Sequence, residues 1–84
     1  MCENIKIEVK SSTETYHVFI TEGNDNCWRV TVLKSASDKK PRFNGIRFSK
    51  SEVILDAANW IINDVVDVNN IKEGDLENLL ELAR

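Results

Sequence analysis

The chain has 84 residues, of which 42% are hydrophobic and 30% are charged, with three glycines and one proline. This length supports one hydrophobic core, so we expect a single domain over residues 1–84, which excludes most multidomain enzymes. The composition is typical of a globular protein and excludes disordered and fibrous classes, and the net charge of -3 argues against indiscriminate nucleic-acid binding.

Four segments with the patterns of β-strands come first along the chain. Apolar and charged residues alternate with a period of two in residues 4–10, which predicts a strand with one buried face. Residues 16–21 are rich in β-branched and aromatic side chains and predict a second strand. The turn-forming run 22–26 then predicts a hairpin into a third strand, 28–34. A polar loop leads to a shorter fourth strand, 42–48.

Two helices are predicted after the strands. Ser49 and Glu52 fit a capping box, so a long helix should begin at Ser49. Apolar residues spaced three and four apart continue this helix to Val68. A short acidic helix is predicted over 75–84, with Asp75 as its N-cap. The predicted fold class is α+β: a three- to four-stranded antiparallel sheet (β-β-β-β-α), covered on one face by the long helix, with a short C-terminal helix.

Period-two alternation divides the strand residues between two faces. We expect the face under the helix to hold Ile5, Ile7, Val9, Val18, Ile20, Trp28, Val30, Val32, Ile46 and Phe48. We expect the opposite, open face to hold His17, Phe19, Arg29, Thr31, Leu33, Phe43 and Arg47. Aromatic rings and arginines on an open face are suited to stacking unpaired bases and neutralising phosphates. Burial of Phe19 and Phe43 under another part of the chain is the competing interpretation.

Charge is distributed unevenly along the chain. The net charge is -3 over residues 1–27, +6 over 28–50 and -6 over 51–84. The run 39–50 holds five cations and no acid, so it would bind backbone phosphates. The alternative is a solvated loop whose charges protect an edge strand from aggregation. The candidate nucleic-acid-binding residues are therefore Phe19, Arg29, Lys39, Lys40, Arg42, Phe43 and Arg47.

The segment 28–62 weakly resembles the single-strand-binding domain of the transcriptional coactivator family named positive cofactor four. The matching positions are Lys40-Pro41-Arg42, Gly45-Ile46 and Ser49 through Glu52. The resemblance implies a curved four-stranded antiparallel sheet with one helix, a dimer, and binding of unpaired DNA on the sheet and its loops. It also implies that Arg29, Lys39, Lys40, Arg42 and Arg47 face the bound strand.

Catalytic and metal-binding residues are not predicted. His17 is the one histidine, and no acid is placed to orient it or Cys27, so we expect a non-enzyme without metal or cofactor.

Cys2 and Cys27 do not make a disulfide framework. No apolar run is long enough to span a membrane, and the first ten residues lack the layout of a signal peptide. We therefore expect a cytoplasmic protein.

Two functions remain open from the sequence. One is a small module that binds single-stranded DNA or RNA. The other is a protein-binding inhibitor or adaptor of the phage or mobile-element type, whose acidic surface imitates nucleic acid or which sequesters an RNase as an antitoxin does. We also expect a homodimer, because Trp60, Ile62 and Val66 lie off the main apolar stripe of the long helix.

Overall fold

A computed structural model describes residues 3–35, 39–65 and 67–84, and it confirms the α+β fold class. The sheet is an antiparallel meander in the order β1-β2-β3-β4, and the two α-helices flank a short 3-10 turn. The strands are β1 (Asn4–Lys10), β2 (Thr15–Glu22), β3 (Trp28–Leu33) and β4 (Phe43–Arg47). The helices are α1 (Lys50–Asp64) and α2 (Asp75–Glu81), with the 3-10 turn at Val68–Asn70.

The β2–β3 hairpin forms where turn residues predicted it. Asn26 takes a positive φ of 63°, a conformation that asparagine tolerates better than most residues. The Gly23 N–H donates to the Cys27 carbonyl at 2.9 Å, and the Asp25 carboxylate accepts from the Cys27 N–H at 3.2 Å. These bonds close the turn and hold β2 and β3 in register.

Helix α1 begins as the sequence predicts and ends four residues earlier. Ser49 is the N-cap, and its hydroxyl accepts from the Glu52 N–H at 3.2 Å. The helix ends at Asp64, because Val65 adopts an extended backbone with ψ 139°. The consecutive valines at this point have lower helix propensity than the residues before them. The predicted continuation to Val68 is therefore wrong.

Helix α2 has a different N-cap from the one predicted. Gly74 occupies the cap with φ 88°, which glycine adopts without steric cost. Asp75 is the first helical residue, and its carboxylate accepts from the Lys10 N–H at 2.9 Å. Asp75 therefore ties α2 to the end of β1 and does not cap its own helix.

The core lies between one face of the sheet and both helices. We call this side of the sheet the helix side and the opposite side the outer face. The inward predictions for β1, β2 and β3 are confirmed, with Ile5, Ile7 and Trp28 partly buried against the core. The core residues are Val9, Tyr16, Val18, Ile20, Val30, Val32, Val53, Ile54, Ala57, Ala58, Ile61 and Leu79, each at most 2% exposed.

Strand β4 presents the opposite face from the one predicted. Phe43 lies directly opposite Val32, and Arg47 lies opposite Trp28. Directly opposed residues share a face, so Phe43 and Arg47 point to the helix side. Ile46 is 54% exposed and Phe48 is 82% exposed. The predicted outward placement of Phe43 and Arg47, and the predicted burial of Ile46 and Phe48, are therefore wrong.

Contacts with α1 explain this register of β4. The Phe43 ring stacks on Trp60 with centroids 6.0 Å apart and an interplanar angle of 24°. The Arg47 Nε donates to the Asp56 carboxylate at 2.9 Å. Gly45 lies opposite Val30, and a Cβ there would come within 3.2 Å of a Val30 methyl and 3.4 Å of the Phe43 ring. The missing side chain at Gly45 makes room for the Phe43 ring.

A polar network surrounds the buried ring of Tyr16. The Tyr16 hydroxyl donates to the Asp64 carboxylate at 2.9 Å, and its ring meets Trp60 edge-on at 6.1 Å. The Lys34 Nζ lies 3.1 Å from both Glu14 and Asp64 carboxylate oxygens. Burial, followed by the hydrogen bond and charge of Asp64, raises the pKa of Tyr16. The network joins β2, the end of β3 and the end of α1.

The raised pKa of Tyr16 predicts a loss of stability in alkali. The folded state keeps the phenol proton at pH values where the unfolded chain has lost it, so this contribution is complete below about pH 10 and decreases as pH rises through the folded pKa. We expect the free energy of unfolding, measured in urea, to fall above about pH 10. Tyr16→Phe should reduce that fall and cost about 1–3 kcal/mol at neutral pH.

Absorbance provides a direct check of this prediction. Tyr16 is the one tyrosine of the chain, so its phenolate absorbance is read without overlap from other tyrosines. We expect ionisation to coincide with alkaline unfolding. Ionisation at the ordinary pKa in a folded protein would contradict the buried network.

Candidate nucleic-acid interface

The outer face is the side of the sheet from which both α-helices are absent. The strand register places Lys6, Phe19, Thr31 and Asn44 in one row across all four strands. The outward positions of the strands are Asn4, Lys6, Glu8, Lys10, Thr15, His17, Phe19, Thr21, Arg29, Thr31, Leu33, Asn44 and Ile46. The predicted outward placement of His17, Phe19, Arg29, Thr31 and Leu33 agrees with this register.

Phe19 lies at the centre of the outer face. It is partly buried between strand neighbours, and the Lys6 Nζ lies 5.5 Å from its ring centroid. This is the geometry of a cation–π contact, and it places a positive charge beside an aromatic ring. The Thr31 hydroxyl donates to the Asn44 side-chain oxygen at 3.1 Å in the same row. The row therefore combines a ring, a cation and an amide.

Arg29 also lies on the outer face, but part of its charge is compensated. Its guanidinium contacts the Asp25 carboxylate at 2.6 Å, while its side chain remains 45% exposed. The hydrogen bond from Arg29 lowers the pKa of Asp25 below its ordinary value, which favours the ionised carboxylate. An incoming phosphate would compete with this carboxylate for the guanidinium.

The basic loop before β4 adjoins one end of the outer face. Lys39, Lys40 and Arg42 are exposed, and the Arg42 N–H donates to the Val32 carbonyl at 2.8 Å. Arg42, Lys34 and His17 take part in lining a polar pocket of about 450 Å³ there. The predicted polar loop is described in part, because residues 36–38 lie outside the described residues. These cations would extend a binding surface beyond the end of the sheet.

Charge differs between the two sides of the protein. The outward strand positions hold three cations, Lys6, Lys10 and Arg29, and one acid, Glu8. Helices α1 and α2 hold six acids and one cation, Lys50. The outward strand positions are therefore net basic and the two helices are net acidic, although Lys6 and Lys10 come from the net-acidic segment 1–27. An anionic ligand would be attracted to the outer face.

Five of the seven candidate residues lie on or beside the outer face. Phe43 and Arg47 do not, because they contact Trp60 and Asp56 on α1. Lys6 was not among the candidates, although it lies on the outer face beside Phe19. Its alternation with Ile5 and Ile7 is the sequence signal that marks it as outward. Its contact with Phe19 depends on the β1–β2 pairing.

No protein-family model, curated protein or solved structure matches this chain. The resemblance to the positive cofactor four family therefore stays a prediction. Within the described residues, no helix is long and apolar enough to cross a membrane. Across the same part of the chain, no three His, Cys, Asp or Glu side chains are grouped as a metal site would require.

Proposed function

We propose that this protein binds single-stranded nucleic acid on the outer face of its sheet. The observation that carries the proposal is the row centred on Phe19, where an aromatic ring and the Lys6 ammonium lie together on an open sheet. Unpaired bases stack on such rings independently of sequence, and each stacked base contributes about 1–3 kcal/mol. The proposed contacts are Phe19, Lys6, Arg29, Lys39, Lys40 and Arg42.

The charge distribution supports one orientation of the ligand. The exposed cations Lys39, Lys40 and Arg42 lie beyond the end of β3, where they would contact phosphates of a strand that crosses the sheet. The six acids of α1 and α2 would repel the same strand from the helix side. A bound strand would therefore cross Phe19 and continue over the basic loop.

Fluorescence anisotropy with labelled single-stranded DNA, single-stranded RNA and duplex DNA tests the proposal. We expect both single strands to bind more tightly than duplex, with log affinity falling linearly against log salt by about 0.7 per neutralised phosphate. Phe19→Ala should weaken single-strand binding roughly 5- to 150-fold, the equivalent of about 1–3 kcal/mol, and should leave the salt slope unchanged.

Matched variants separate a local effect from a general one. Lys40→Ala should reduce the salt slope by about 0.7, whereas Arg84→Ala removes the same charge beyond α2 and should have little effect. Leu55→Ala removes an apolar side chain that is 47% exposed on α1, and it should bind as the wild type does. If no oligonucleotide binds at low salt, the proposal is wrong and the protein-binding alternative is favoured.

A further inference from the structure

The two edge strands of the sheet differ in how they are protected. At the end of β1, the Lys10 carbonyl accepts from the Lys72 N–H at 2.7 Å, and the Lys10 N–H donates to Asp75. The outward side chains of β1 include Lys6, Glu8 and Lys10, whose charges discourage pairing with another strand. Among the described residues, no strand pairs with β4 on the side away from β3. The β4 edge is therefore the one open to a further strand.

Exposed apolar side chains are concentrated at this edge. Four large hydrophobic residues are exposed in the described part of the chain, and the two most exposed are Ile46 at 54% and Phe48 at 82%. The others, Leu55 at 47% and Ile62 at 38%, lie on α1. A groove of about 450 Å³ lies between β4 and α1, with Phe43, Gly45, Arg47, Asp56, Asn59 and Trp60 in its lining.

We propose that β4 pairs in antiparallel register with β4 of a second copy of this chain, about a two-fold axis at Gly45. The paired strands would form one continuous eight-stranded sheet. In this register Phe43 lies opposite Arg47 of the second copy, and Asn44 lies opposite Ile46. Gly45 meets its equivalent at the axis, and in each copy the Phe43 ring occupies the space that a side chain at Gly45 would take.

Charge and ring complementarity favour a second copy as the occupant. Within β4 the guanidinium of Arg47 would lie beside the Phe43 ring of the second copy, in the groove between the strand and α1. Phe48, the most exposed hydrophobic side chain described, directly follows β4 and would lie at the rim of this interface. Arg47 would therefore face a ring and no like charge, which is a favourable cross-strand pair.

Two-fold symmetry also limits the size of the assembly. Pairing uses both β4 edges and leaves the two charged β1 edges at the outside of the eight-stranded sheet. An isologous contact of this kind closes as a dimer and does not extend into a fibre. The proposed nucleic-acid contacts lie on β1, β2, β3 and the loop before β4, so none of them belongs to the paired residues of β4.

Size-exclusion chromatography coupled to light scattering tests the proposal, with the protein loaded at about 100 µM. We expect a mass of twice the 9.6 kDa chain. Ile46→Asp and Phe48→Asp should each raise the dimer dissociation constant by about tenfold or more. Leu55→Asp and Ile62→Asp introduce the same charge at the exposed apolar positions of α1, and both should remain dimeric. Far-UV circular dichroism establishes that each variant is folded.

Isotope-filtered NMR of a mixed labelled and unlabelled sample tests the register. We expect contacts between Ile46 of one copy and Asn44 of the other.

A wild-type mass of one chain would overturn the dimer and leave β4 open to a foreign strand. A dimer that is lost in the Leu55 and Ile62 variants but kept in the Ile46 and Phe48 variants would move the interface to α1 and overturn the β4 pairing. Oligonucleotide titration of Phe19→Ala, which should keep the dimer mass, tests the proposed function separately, because Ile46→Asp adds an acid to the outer face.

Discussion

Replacement of Ile54 by alanine is expected to lower the free energy of unfolding by about 2–5 kcal/mol. Ile54 is fully buried on α1, so the change removes apolar surface from the core and leaves a cavity against the sheet. A chain of this size has a total stability of about 4–13 kcal/mol, since each residue contributes about 0.05–0.15 kcal/mol. The variant should therefore lose a large fraction of its stability, measured as the midpoint of urea unfolding.

The neighbouring residue provides the matched control. Leu55 is 47% exposed, and alanine has the higher helix propensity. Leu55→Ala should therefore change the free energy of unfolding by less than about 0.5 kcal/mol. Equal losses in the two variants would contradict the orientation of α1 on the sheet, in which Ile54 is fully buried and Leu55 is 47% exposed.

Replacement of Phe43 by alanine is expected to cost about 2–4 kcal/mol, while Phe48→Ala should be close to neutral. Phe43 is partly buried and stacks on Trp60, so its loss removes a ring contact between β4 and α1. Phe48 is 82% exposed and follows the end of β4. The two variants lose the same side chain and differ in the face to which it points.

Urea unfolding of both variants measures this difference, at protein concentrations below the dimer dissociation constant. A large loss for Phe48→Ala with none for Phe43→Ala would restore the register predicted from the sequence. That register would place Phe43 and Arg47 on the outer face as further candidates for the nucleic-acid site. Because a slip of one residue reverses every side chain of a strand, no intermediate register is available.

Much of the fold could be predicted because several local signals agreed. Strict alternation in residues 4–10 predicted β1 with the bounds that the structure has. The turn residues 22–26 predicted the β2–β3 hairpin, and Ser49 predicted the start of α1. Each signal depends on neighbours within a few residues, so it can be recognised without tertiary contacts.

The end of α1 and the cap of α2 could not be predicted in the same way. A continuing apolar spacing suggested a helix to Val68, but the chain leaves the helix after Asp64. Asp64 accepts a hydrogen bond from Tyr16, and Asp75 accepts one from Lys10. These partners are 48 and 65 residues away in the chain. Local propensity reports the weak helix preference of the valines after Asp64, but it carries no information about these two contacts.

The candidate site was predicted in part for a related reason. Phe19 and Arg29 lie in strands where one alternating set is clearly more apolar, so their outward direction followed from the sequence. In β4 one alternating set holds Phe43 and Arg47, and the other holds Ile46 and, just after the strand, Phe48. Each set contains one aromatic ring, and the set with Ile46 and Phe48 is the more apolar. Hydrophobicity alone therefore selected the wrong face for Phe43 and Arg47.

The sequence by itself determined the α+β class, the strand order along the chain, the inward faces of β1 to β3 and the start of α1. Only the tertiary structure decided the face of β4. Period two requires Phe43 and Arg47 to share a face, but the choice of face depends on Trp60 and Asp56 of α1 and on the space above Gly45. Those contacts exist only after the helix packs on the sheet, so alternation within β4 could not report them.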